Sequence, residues 1–163
     1  MEPATLAKLL HIAAVIVFIT GLIGRSIVLS HAARATNLSV TSAFLEMSSI
    51  FERMVVQGYI AVLVLGLATA WLQSQPVLGA LQGSAVNWIL VSLVLFVSIN
   101  VLVPTIFIPS GKKFAAALAA AIAVGAPTPE LRERFADRGV RVGHIYEFVV
   151  VAVVLVLMVL KPF

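Results

Sequence analysis

The longest apolar stretch of the chain runs from Met54 to Gly111, with no charged residue in it. It is too long for one membrane span, since ~20 helical residues cross a hydrocarbon core of ~30 Å. Turn formers divide it: Gln73-Ser74-Gln75-Pro76, then Gly79 to Asn87, with Trp71 and Trp88 on either side. The pattern predicts a helical hairpin whose turn lies at one lipid interface, with the tryptophans at headgroup level. Two further apolar runs lie nearer the ends. Leu6 to Leu29 is the first, with Lys8 and Arg25 near its edges. Ile145 to Leu160 is the last, extended backward by His144 and stopped by Lys161-Pro162. Backbone groups in lipid must find partners within their own segment, so all four runs are read as helices. The expected fold is all-α: an integral membrane four-helix bundle, one transmembrane domain over residues 1–163, with spans near 6–29, 54–72, 88–108 and 145–160.

Two polar connections remain, both on the same side of the bilayer. Residues 31–53 carry Arg34, Glu46, Glu52 and Arg53, and the periodicity of Ser42 to Arg53 starts the second helix well before lipid. Residues 112–142 open with Lys112-Lys113 and the run Ala115 to Ala123, which reads equally as an interfacial helix or a plain soluble helix under the bundle. Pro127 and Pro129 then break the chain before a short helix over Glu130 to Arg138. The side with these connections holds eight Lys and Arg residues (Arg34, Arg53, Lys112, Lys113, Arg132, Arg134, Arg138 and Arg141), against Lys8 and Lys161 opposite. That asymmetry makes the helical connection cytoplasmic and puts both termini outside, in a multi-pass protein of the cell (inner) membrane. Ser30-His31-Ala32 loosely resembles a cleavage site, but the run before it is too long for a signal peptide, so the first span is read as retained.

Composition agrees with this reading. Hydrophobic residues make up 61% of the 163 and charged residues 11%, whereas soluble domains carry about a quarter charged residues. The net charge of +4 could suggest nucleic acid, but no basic patch is interleaved with aromatics, so the partner expected is the lipid bilayer and not nucleic acid. A homo-oligomer or a larger membrane complex stays open. Absence of cysteine excludes disulfides, zinc–thiolate sites and iron–sulfur clusters.

Ionisable groups at membrane depth are the candidates for function. Arg25 lies ~25 Å along its helix from Lys8, Glu147 ~20 Å from Leu160 and His144 ~24 Å from it, so all three approach one inner depth. His144 and Glu147 share a helical face. An Arg25–Glu147 pair with His144 beside it would remove two lone charges from lipid; the alternative is a cluster that only pins helices together. Towards the outer side, His11 and Met158 should lie at similar depth. Imidazole and thioether both suit haem iron or copper, although a lone histidine also serves as a hydrogen-bonding core residue. Asn100, four residues before Pro104, predicts a local kink with the amide satisfying freed carbonyls. Gly21, Gly24, Gly58 and Gly66 fit close helix packing. No phosphate-binding loop, His-Glu-x-x-His or nucleophile elbow occurs.

Leu10-His11-Ile12-Ala13-Ala14-Val15-Ile16, followed by Gly21, Arg25 and His31, resembles the first helix of HemJ-type protoporphyrinogen oxidases, within the CopD-like group of small four-helix membrane proteins. The resemblance continues through Phe44-x-x-Met47 and Arg53 to Gly66-Leu67, and in the ending Met158-Val159-Leu160-Lys161-Pro162-Phe163. It covers the first two helices and the last, and the chain looks closest to an uncharacterised branch of predicted integral membrane proteins. The resemblance implies haem b as cofactor, His11 as iron ligand, and Arg25 in the place of a functional arginine, one residue out of register. It departs where those oxidases carry a lysine four residues after a tryptophan, because here Trp88 is followed by Ser92. The Asn-Glu-x-Pro pattern of their last helix is also altered, with Tyr146-Glu147 in that region.

Three readings follow. The first is a haem-b-binding membrane protein with a redox or haem-handling role; as an enzyme it would be an oxidoreductase of the protoporphyrinogen-oxidase-like kind. The second is a non-enzymatic scaffold or subunit of a larger complex. The third is copper handling through His11 and Met158.

Overall fold

Polar caps set most helix boundaries. In the computed structural model, which describes residues 2–85 and 87–162, Pro3 opens helix α1 (Pro3–Arg34) where its missing N–H costs nothing. Asn37 starts α2 (Leu38–Leu72), its side chain accepting the Ser39 N–H at 2.9 Å. Asn87 starts α3 (Trp88–Val124) by accepting from Leu90 N–H at 2.9 Å, and Gly125 ends it in the left-handed conformation, φ 76°. Thr128 and Pro129 open the short α4 (Pro129–Phe135), and Asp137 opens α5 (Arg138–Leu160). Among the described residues every regular element is helical, and four segments are long and apolar enough to cross a membrane: Pro3–Arg34, Leu38–Leu72, Trp88–Val124 and Pro129–Leu160. Phe163, the last residue of the 158–163 ending, lies outside the described residues.

The second helix reaches back even further than the expected Ser42, to Leu38, so that only residues 35–37 separate α1 from α2. With 32 and 35 residues, these helices measure about 48 and 52 Å at ~1.5 Å per residue. Both exceed a ~30 Å core, so they continue as helix beyond it. The alanine-rich run, in turn, is neither a separate interfacial helix nor a detached soluble one. It continues the third helix, which does not stop near residue 108. Alanine favours helix most strongly, and before Gly125 only Pro104 and Pro109 lack an N–H for the hydrogen-bond ladder.

At Pro104 the ladder changes instead of breaking. Proline has no N–H for the Asn100 carbonyl, which accepts from Val103 N–H instead. Val103–Phe107 then forms one π-helical turn, closed by Ile108 N–H donating to the Val103 carbonyl. The Thr105 hydroxyl satisfies the Val101 carbonyl. The expected kink site is thus a π-turn, in which backbone groups and Thr105 satisfy carbonyls of the loosened ladder.

The helices pack as two units, Met1–Val77 and Leu78–Phe163. In the first, α1 and α2 are antiparallel in constant register, residue i facing about residue 76 − i. Phe18 meets Gly58, Gly21 meets Val55, and His11 meets Gly66, while the His31 and Phe44 rings lie 5.6 Å apart. The glycines permit this: a Cβ on Gly58 would stand 2.8 Å from the Phe18 Cα. In the second unit α3 and α5 are antiparallel, and Gly143 leaves room for the Phe107 ring. Helix α4 folds back on the end of α3, with the Phe114 and Phe135 rings edge to face at 4.9 Å.

Candidate functional site

Within the first unit the register carries His11 into the seam. Its imidazole lies on Gly66, where a Cβ would come 3.0 Å from Cε1 and 3.3 Å from Nδ1. The ring faces the Val62 carbonyl, yet Nδ1 is buried without a hydrogen bond of good geometry. An unsatisfied buried polar atom costs about 1–3 kcal/mol, so this imidazole nitrogen is a polar group that helix packing alone does not explain. The other histidine of the unit behaves differently. His31 Nδ1 pairs with its own helix, 2.8 Å from the Ile27 carbonyl, and its ring stacks against Phe44.

Arg25, further along α1, is 8% exposed, and Glu147 on α5 is 4% exposed. Charges so far from solvent need compensation, and neither is without a partner.

In the second unit, His144 follows Gly143 and its ring lies 5.2 Å from that of Phe107 in the π-turn. Tyr146 bonds across to α3, its Oη 2.6 Å from Ser98 Oγ. Since the Ser98 hydroxyl donates to the Leu95 carbonyl at 2.6 Å, the tyrosine is the donor. Sequence reasoning missed Ser98, because a serine in an apolar span carries no signal until its facing residue is known. Met158 is half-buried towards the end of α5. Beyond it Lys161 lies over the Trp88 ring at 5.6 Å, an aromatic–cation pair suited to a lipid interface. Ser92, four residues after Trp88, is 4% exposed and its Oγ has no partner.

Of the residues singled out from the sequence, His11 and Arg25 therefore belong to the first unit, and His144, Glu147 and Met158 to the second. Among the described residues no three His, Cys, Asp or Glu side chains converge as a metal site. A haem, which asks the chain for one or two axial donors, has no need of such a cluster.

Length, apolarity and the buried polar positions all describe a protein whose solvent is largely lipid, and it contacts the bilayer along its exposed apolar helix faces. No curated protein and no solved structure matches the chain significantly. A family model does match, over residues 5–162, and the chain belongs to that family of predicted integral membrane proteins, DUF2269.

Proposed function

We propose that the protein binds haem b through His11 and has a redox or haem-handling role in the cell membrane. The observation that carries this reading is the buried, unpartnered Nδ1 of His11, held against Gly66 inside the α1–α2 seam. The donor fits: a neutral imidazole nitrogen suits haem iron. The likeness of Leu10-His11-Ile12 to HemJ-type first helices supports the same assignment. A bound haem would supply a one-electron iron couple tuned by its axial ligands. The chain's own part is to orient the imidazole on Gly66 and keep water from it. Ser92 supplies no cation where the oxidases have lysine, so protoporphyrinogen oxidation is not part of the proposal.

The test is an absorption spectrum of protein purified in mild detergent from haem-replete cells. Wild type should show a Soret band that shifts on reduction; His11→Ala should lose it and His31→Ala should keep it. A colourless wild type, or dependence on His31 in place of His11, overturns the assignment. Copper bound through a thioether such as Met158 is what metal analysis would reveal in that event.

A scaffold reading is favoured by one observation, the glycine seams at Gly21, Gly58 and Gly143, where neighbouring helices come too close for a Cβ. Under either reading we propose both termini outside and the α3–α4–α5 connection in the cytoplasm, from the eight-to-two distribution of Lys and Arg.

A further inference from the structure

Most of the chain's net charge gathers at one place in the second unit. Lys112, Lys113, Arg132, Arg134, Arg138 and Arg141 stand against Glu130, Glu133 and Asp137, an excess of three positive charges out of the chain's +4. The polar end of the first unit is balanced, Arg34 and Arg53 against Glu46 and Glu52.

The fold gathers these cations around the elbow between α4 and α5. Ser110 of α3 donates to Asp137 Oδ2 at 3.2 Å, and Phe114 packs edge to face on Phe135. Lys112 and Lys113 lie between those two ties, so they stand beside the elbow. An open groove of about 330 Å³ runs along it, lined by Glu133, Arg134, Ala136, Asp137 and Arg138. The Asp137 carboxylate is committed to capping, accepting from Gly139 N–H at 2.8 Å and Val140 N–H at 3.3 Å as well as from Ser110. Arg134 carries the opposite condition: its Nε is buried and has no acceptor. The Asp137 carboxyl is held below its ordinary range first by the Val140 N–H and also, more weakly, by the nearby charge of Arg134.

Depth identifies what meets this groove. From Val142 to Leu160 α5 is apolar except for His144, Tyr146 and Glu147, and it rises about 28 Å, close to the ~30 Å hydrocarbon thickness. Lys161, over Trp88, marks one end of that run. Arg138 and Arg141 stand at the other, where lipid phosphates lie.

We propose that the α4–α5 elbow binds the headgroup phosphate of anionic phospholipids, with Arg134 and Arg138 as the donors in the groove and Lys112, Lys113 and Arg141 as the surrounding field. Guanidinium pairs with phosphate through short, directed, charge-assisted bonds, and the unpartnered Arg134 Nε is one such donor. Zwitterionic lipid offers the same phosphate with an ammonium attached, and the excess positive charge disfavours it.

The test uses the full chain in mild detergent, titrated with phosphatidylglycerol, phosphatidylcholine or inorganic phosphate. Lipid retention is read by native mass spectrometry and stabilisation by Tm. Phosphatidylglycerol should be retained and should raise Tm, phosphatidylcholine much less. R134Q/R138Q should weaken phosphatidylglycerol binding about 30-fold, at roughly fivefold per cation removed near a bilayer surface. K112Q/K113Q should weaken it in the same direction, which keeps the test decisive if the arginine variant does not fold. K8Q/K161Q, at the other end of the helices, should leave it unchanged. Equal retention of the two lipids overturns the proposal, as does unchanged affinity in the elbow variants. Stabilisation by inorganic phosphate that equals that by phosphatidylglycerol would make the ligand a free anion and overturn the lipid assignment.

Discussion

Gly58→Ala tests the α1–α2 seam at its tightest backbone contact with α1. The new methyl group would stand 2.8 Å from the Phe18 Cα and 3.0 Å from its N, backbone atoms that cannot swing aside, whereas ordinary Cβ contacts begin near 3.4 Å. The helices must therefore separate by about 0.6 Å at this level, and a gap of ~0.5–1 Å forfeits a quarter to a half of each dispersion contact it opens. The side chains exposed to that loss include Phe18 and Leu22, at present 3% and 1% exposed. Overpacking of this kind costs about 1–3 kcal/mol, while replacing glycine by alanine in a helix returns about 1 kcal/mol. Gly111→Ala separates the two terms. Gly111 is also within a helix, but a Cβ there meets nothing within 4 Å. Because both variants gain the propensity term, their difference isolates packing, and Gly58→Ala should be less stable by about 1–3 kcal/mol. The assay is denaturant or thermal unfolding of both proteins in the same mild detergent. A Gly58→Ala midpoint at or above that of Gly111→Ala would refute the close-packed seam.

Two further outcomes are expected. The burial of Arg25 and Glu147, each within its own unit, predicts that Arg25→Gln or Glu147→Gln lowers detergent stability by about 3–5 kcal/mol, as when a buried charge loses its compensation. Unfolding midpoints unchanged from wild type in both variants would refute the cost assigned to these buried charges. For orientation, an impermeant thiol reagent applied outside intact cells should label Gln75→Cys and spare Ala126→Cys, both exposed positions; the reverse labelling inverts the topology. Gly79 is a poorer site for this experiment, because at φ 46° a Cβ would meet the Ala85 carbonyl at 2.9 Å.

Four helices long and apolar enough to cross a membrane, and the break between residues 73 and 87, were legible without coordinates, because lipid leaves a backbone no other way to satisfy its hydrogen bonds. Pro104 likewise announced an irregularity in α3. Its form, a π-turn with the Asn100 carbonyl passed to Val103, depended on how the surrounding ladder relaxed. The alanine run was misjudged as a separate helix for a physical reason. Polar residues say where lipid ends, and helices do not have to end there. His11 could be picked out as an ionisable group at depth, but only the register places its ring on Gly66 and leaves Nδ1 unpaired. Tyr146 was visible as a polar tip in an apolar helix, and Ser98 was not, since a cross-helix bond belongs to two residues 48 apart whose facing only packing decides. The same holds for Arg134 and Arg138. The sequence by itself determined that the basic residues lie beside the membrane, through composition and charge alone. The tertiary structure gathered them around one elbow, because Ser110, Phe114 and the Asp137 cap tie α3, α4 and α5 together there.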